Sequence, residues 1–274
     1  MRRPADQGDE VTAAASPRPS PRPAAMLWWA LGLLAVFVAM GIAIAPDPSA
    51  PFTQPLDDAW RAVVGVGPDS GAYTWFVPMF FQQLGELPGV IVTVVVLPLA
   101  LVAVGRWRSA LFFVSVTAFG PGLLSQAMKN LVDRPRPAAD PTLGLFGPLF
   151  SVDHGSFPSG HSISAAALAV SVAALIPPSR TLARRVWWVI GALLMVGMVW
   201  QRTLVNAHWL SDTLTGLLTG VAAALLMWWA FWPLLHRDHV RPLPFLRASS
   251  DGARTSAPSA APEPTLSTKR KATP

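Results

Sequence analysis

Three short polar clusters bring together residue types able to handle phosphate. The first holds Lys129, Arg134, Arg136 and Pro137. The second is Pro158-Ser159-Gly160-His161, and the third runs from Arg202 through His208 to Asp212. A phosphoryl group in transfer spreads negative charge over three equatorial oxygens, so its catalysis is chiefly positioning and neutralisation. Lysine and arginine supply the neutralisation, and a guanidinium can hold two phosphate oxygens at once. Histidine supplies a nucleophile or a proton donor. Each cluster lies at the end of an apolar run, so the chemistry expected is phosphoryl transfer at a membrane.

Spacing assigns expectations to single residues. Lys129 ends one apolar run, and Arg136 follows in a loop that Pro135 and Pro137 hold extended. Arg134 and Arg202 join them as cations on the same side. Pro-Ser-Gly-His opens a helix, whose N-terminus offers free N–H groups and the positive dipole end to an anion. There Ser159 can donate its hydroxyl, Gly160 lets the backbone approach closely, and His161 stands where it could protonate a leaving oxygen. His208 and Asp212 are four residues apart and share a face if a helix begins near Ala207. A carboxylate on one imidazole nitrogen fixes the tautomer and frees the other to attack. Asp212 is costly at the lip of an apolar helix without a partner, and it can also serve as a helix cap. Asp153 and His154 fit none of the three clusters and are read as loop residues.

The elements that position these clusters must be membrane helices. Of the 274 residues 52% are hydrophobic and 13% charged, against roughly 25% charged in soluble domains. A spanning helix needs about 20 apolar residues. Six runs are candidates: 24–45, 87–104, 109–128, 161–176, 186–200 and 212–232. Pro98 and Pro121 fall inside runs and predict kinks. The first run could be a signal peptide, but its length and Pro46 favour a retained helix. Residues 52–64 have a helical apolar period broken by Asp57, Asp58 and Arg61, which predicts a short helix on the membrane surface. Residues 73–81 are apolar but interrupted by Pro78, either interfacial or an extension of the second span. The domain reading is a tail over 1–23, a membrane domain over 24–235 and a basic tail over 236–274, both tails disordered.

Charge sets the expected orientation. The net charge is +6, but the arginines lie in tails and short loops, which argues for anionic lipid and against nucleic acid. Basic residues precede the first run and follow the second, fourth and sixth, so both termini are expected in the cytoplasm and all three clusters on the outer side. Tryptophan supplies nearly all the expected interfacial anchors, as at Trp28-Trp29, Trp187-Trp188 and Trp228-Trp229. The absence of cysteine excludes disulfides, thiolate nucleophiles and cysteine metal sites.

Lys-x6-Arg-Pro, Pro-Ser-Gly-His and Arg-x5-His-x3-Asp, in this order, resemble the type 2 phosphatidic acid phosphatase (PAP2) superfamily, over about residues 50–235. The resemblance implies an all-α bundle of six transmembrane helices of the PAP2/haloperoxidase-like type. It implies His208 as the nucleophile forming a phosphohistidine, Asp212 orienting it, and His161 as general acid. Lys129, Arg136, Arg202, Ser159 and Gly160 would bind phosphate, and no metal or other cofactor is implied. Gln201 departs from the serine usual before the arginine.

The expected activity is hydrolysis of a lipid phosphate or diphosphate at the outer leaflet, in a bacterial cytoplasmic membrane. Undecaprenyl diphosphate is the first candidate, with phosphatidate and phosphatidylglycerophosphate as alternatives. Transfer to another acceptor, or non-enzymatic lipid binding or transport, are the competing readings.

Overall fold

The computed structural model describes residues 21–240. Among them the only β pairing is an isolated bridge between Asp140 and Leu145. Eight helices follow in order: α1 (Ala24–Ile44), α2 (Gln54–Val64), α3 (Phe76–Gly85), α4 (Leu87–Ala103), α5 (Trp107–Val132), α6 (Gly160–Leu175), α7 (Thr181–Leu204) and α8 (Leu210–Val240). The described residues are all-α, as the family resemblance implied.

Helices α1, α5, α7 and α8 are each long and apolar enough to cross a membrane. Helices α3 and α4 give a fifth path, bent by 53°. The expected fourth span is α6, with 16 residues, or about 24 Å at ~1.5 Å per residue. That is shorter than the roughly 30 Å hydrocarbon core, so the expected six crossings are reached only by counting the bent pair and this short helix. Residues 76–85 form a helix of their own that leads into the second run across a sharp break. Pro98 and Pro121 each remove a helical hydrogen bond, and each is accommodated by a wider, π-helical turn, at Val92–Val96 and Ala118–Leu124.

Helix α6 is the core of the bundle. It is built largely of Ala and Ser, and most of its residues are buried. Small residues let neighbouring backbones approach closely, which is how helices associate where lipid is as apolar as leucine. On α8 a Cβ at Gly216 would lie 2.6 Å from the Ser159 carbonyl oxygen, and one at Gly220 would meet the Ile163 carbonyl. The outer faces carry exposed Val, Ile, Leu and Trp, including Trp28 and Val189.

Two details differ from expectation. Helix α2 turns its polar edge inward: Asp57 is fully buried, while Phe52, Leu56 and Val63 are exposed. Trp60 Nε1 donates to Thr203 Oγ1 at 3.0 Å, and Arg61 Nε to Asn206 Oδ1 at 2.9 Å. The amphipathic helix thus clamps the α7–α8 junction and leaves an apolar stripe outside. The second detail is that α8 runs beyond residue 235 to Val240. Buried Asp238 explains this, since it accepts from the Ser109 amide at 3.0 Å and hydroxyl at 2.9 Å and pairs with Arg108 at 3.2 Å. It satisfies an amide that the first turn of α5 leaves without a helical partner. The expected disordered tails fall, over 1–20 and 241–274, outside the described residues.

Candidate active site

The three clusters meet at one end of the bundle. The left-handed residue Asp133 (φ 41°) ends α5 just after Lys129. The following loop carries Arg134 and Arg136 back over the start of α8 and then descends to the start of α6. A cavity of about 280 Å³ opens there, lined by Lys129, Arg136, Asp153, Gly160, His161, Arg202 and His208, with Gly85, Glu86 and Ser125 among its walls. That volume lies just below the ~300–1,000 Å³ usual for ligand sites. A larger cavity of about 450 Å³, between Met26, Arg184, Trp228 and His236, lies at the other end of α6 and is mostly apolar.

His208 sits between α7 and α8 with its tautomer fixed from both sides. Nδ1 is 2.7 Å from the Ser156 carbonyl, which can only accept, so Nδ1 carries the proton. Nε2 is 3.3 Å from Arg136 Nη1, which can only donate, so Nε2 presents its lone pair. Burial pushes His208 well below the ordinary imidazole range, and the charges of Arg136, Arg202 and Lys129 push it further. The ring is therefore neutral, with its unprotonated nitrogen among the cations.

Asp212 does not make the expected bond to His208. Its Oδ2 stands 3.8 Å from Nδ1, whose proton goes to Ser156 instead. Asp212 spends its oxygens on the Trp209 amide at 3.0 Å, closing the first turn of α8, and on Arg134 Nη1 at 2.7 Å. Its influence on His208 is a charge one short step away.

Arg134 is also placed differently from the expected phosphate-side cation. It is fully buried, and its guanidinium donates to Asp212, Ser211 Oγ (2.8 Å), Asp57 Oδ2 (2.9 Å) and Gln54 Oε1 (3.0 Å). Asp57 in turn accepts from the Ser211 amide and hydroxyl. Two carboxylates share one arginine, and the cluster bolts α2 to the loop and to α8.

On the opposite wall, His161 lies in the first turn of α6, packed so closely on Gly85 that a Cβ there would run into its ring. Its Nε2 is buried and has no hydrogen-bond partner among the described residues. The Gly160 and His161 amides have no acceptor within the helix. Ser159 is off the cavity wall: fully buried, its Oγ caps α6 by accepting from the Ser162 amide at 3.4 Å. The cavity reaches Gly160 and His161 instead.

Arg202, nearly buried, donates through Nη1 to Gln82 Oε1 at 2.7 Å. Gln201 Nε2 donates to the same oxygen at 2.8 Å, and Gln82 Nε2 donates to Glu86. Gln201 thus belongs to the brace behind Arg202. Sequence reading missed Gln82 and Glu86, although a glutamine inside an apolar helix and a glutamate at its end were a signal.

Burial works to raise the Asp153 carboxyl, but Lys129 and Arg136 outweigh it and hold it below the usual carboxylate range. Lys129 Nζ lies 2.6 Å from Asp153 Oδ2, and Arg136 pairs with Oδ1. Arg136 itself is lowered by burial, against the pull of Asp153 and Asp212. Asp153, read from sequence as an ordinary loop residue, is therefore in the cavity wall.

The PAP2 superfamily model matches residues 109–235. The matched stretch, under half of the chain, is similar to the PAP2 superfamily. Its fold is similar to the crystal structure of the first transmembrane PAP2 type phosphatidylglycerolphosphate phosphatase from Bacillus subtilis, with a TM-score of 0.58 and 22% identity. The likeness covers 73% of this chain and 94% of that one, and at this identity it speaks for the fold. No curated protein matches the chain. The PAP2 match takes in all three clusters, from Lys129 to Asp212, and leaves α1 to α4 outside it. The segment outside the match nevertheless supplies Asp57, Gln82, Gly85 and Glu86 to the surroundings of the cavity.

Proposed function

We propose that the chain is an integral-membrane phosphatase that removes a terminal phosphate from a lipid through a phosphohistidine at His208. The observation that carries this reading is the unprotonated His208 Nε2 beside Arg136, in a cavity that also holds Lys129, Arg202 and His161.

In the first step Nε2 attacks phosphorus, the bond to the leaving oxygen breaks, and His161 gives that oxygen its proton. As Nε2 becomes bonded the imidazole turns positive, and the Ser156 carbonyl and the nearby Asp212 carboxylate stabilise it. In the second step His161 takes a proton from water, the water oxygen attacks phosphorus, and the N–P bond breaks to release inorganic phosphate. Lys129, Arg136, Arg202 and the α6 amides hold the equatorial oxygens throughout. Water is the simplest acceptor; a transferase would use the same first step.

The substrate is a lipid with a terminal phosphate or diphosphate, approached from the outer leaflet, with both chain termini in the cytoplasm. Undecaprenyl diphosphate remains the first candidate. Phosphatidylglycerophosphate follows, because the similar fold is that of a phosphatase named for it, and phosphatidate third. The test is phosphate release by purified protein in detergent containing EDTA, across these three lipids, with His208→Ala alongside. Release from at least one lipid and none from the variant is expected. Wild-type turnover in His208→Ala overturns the mechanism, and a strict need for added metal overturns the metal-free scheme.

A further inference from the structure

The Asp153 carboxylate stands where a bound anion belongs. Its Oδ2 lies 2.6 Å from Lys129 Nζ and its Oδ1 pairs with Arg136 Nη2, so one carboxylate bridges both cations of the first cluster. Two carboxylate oxygens held by an ammonium and a guanidinium resemble one edge of a phosphate held the same way. The two ends of the bridge are unequal. The Lys129 side chain is 4% exposed on a long helix, whereas Asp153 is 51% exposed on a loop. When substrate arrives, the carboxylate is the part with somewhere to go. Arg136 Nε also donates to the Asp153 carbonyl at 3.2 Å, a contact that keeps the loop docked whichever way the side chain points. The two-step hydrolysis gives this carboxylate no task.

We propose that Asp153 is a built-in competitor for the phosphate subsite and selects headgroups carrying more than one negative charge. The proposal rests on the phosphatase reading above. A membrane surrounds this cavity with phosphodiester headgroups, each with a single negative charge on its phosphate. An uncovered Lys129–Arg136 pair would hold them. With Asp153 in place, a phosphodiester only exchanges one monoanion for another and gains no charge attraction. A terminal phosphate brings about −1.5 to −2 charges and three acceptor oxygens, enough to displace the carboxylate. Selectivity here comes from a penalty on the wrong ligand as much as from contacts to the right one. Asp153 also spares the empty site two uncompensated cations in a partly buried place.

The test uses the full chain in detergent, as wild type, Asp153→Asn and Asp153→Ala. Calorimetric titration measures the Kd of inorganic phosphate and of dibutyl phosphate, a soluble phosphodiester. Wild type is expected to bind inorganic phosphate and to bind the diester at least about tenfold more weakly. Both variants are expected to gain roughly tenfold for the diester and less for inorganic phosphate, so that the ratio between the two ligands shrinks. An unchanged ratio in both variants, with phosphate binding intact, overturns the competitor role and leaves the phosphatase reading standing. Failure of wild type and both variants to bind inorganic phosphate overturns both.

Discussion

Arg134 and Arg136 are two residues apart, in the same extended, proline-flanked loop, and they have opposite fates. Arg134 is sealed between Asp57 and Asp212, with four side chains accepting from its guanidinium. Arg136 faces the cavity, holding a half-exposed carboxylate and standing beside the free nitrogen of His208. In an extended segment successive side chains alternate sides, so residues two apart begin on the same side. Their separation is therefore made by the partners each finds. Arg134 meets two buried carboxylates from separate helices and is locked in place. Arg136 meets one half-exposed carboxylate on a loop. One arginine is locked inside the bundle, and the other lines the cavity.

The comparison can be broken at either arginine. Arg134→Ala leaves Asp57 and Asp212 buried without a counter-charge, and breaking a buried pair in this way costs about 3–5 kcal/mol. Denaturant unfolding in detergent should show that loss; a change below about 1 kcal/mol would be inconsistent with the sealed cluster. Arg136→Ala should instead lower kcat/KM by about 10²–10³-fold, the range for removing one preorganised donor to a transition-state anion. Its unfolding midpoint should move less than that of Arg134→Ala, and the reverse order would remove the distinction.

A smaller effect separates Arg202 from its brace. Gln82→Leu strips Arg202 of its strongest hydrogen bond and should lower kcat/KM by about tenfold, the size of one lost bond to a charged group. Gln201→Ser keeps that bond and should change activity less. Steady-state kinetics on the two variants ranks them, and equal losses would show that Gln82 does not act through Arg202.

The gentlest probe is pH. His208 is held well below the ordinary imidazole range by burial and by Arg136, Arg202 and Lys129. A group with a lowered value stays neutral, and nucleophilic, as pH falls through about 6.5, the unperturbed value. The acid limb of kcat/KM should therefore lie below that value, and Arg136→Ala should shift it upward by removing a nearby positive charge. An acid limb at or above 6.5 in the wild type, with chemistry rate-limiting, would contradict the electrostatic environment described.

Much of this was legible from residue types and spacing. Long apolar runs announced the helices, and Lys129, Arg136, Gly160, His161, Arg202 and His208 converge as their clusters suggested. The parts that were not legible depend on partners distant in sequence. Nothing local to Asp212 says that Arg134 will claim one oxygen, or that the Ser156 carbonyl will take the His208 proton. Nothing local to Asp57 says that an amphipathic helix will turn its aspartate inward. Asp153 carried no motif signal because its meaning comes from two cations, 24 and 17 residues away. The run of α6 is a candidate span by composition but a short one, and its 16 residues leave its first turn at the cavity.

The central claim is covalent, and trapping the intermediate tests it most directly. A substrate labelled in the transferred phosphate would be mixed with the protein, quenched in alkali, where phosphohistidine survives, and the labelled peptide mapped. The account predicts label on His208 in the wild type and none in His208→Ala. Label on another residue, or turnover by His208→Ala at the wild-type rate, would contradict it.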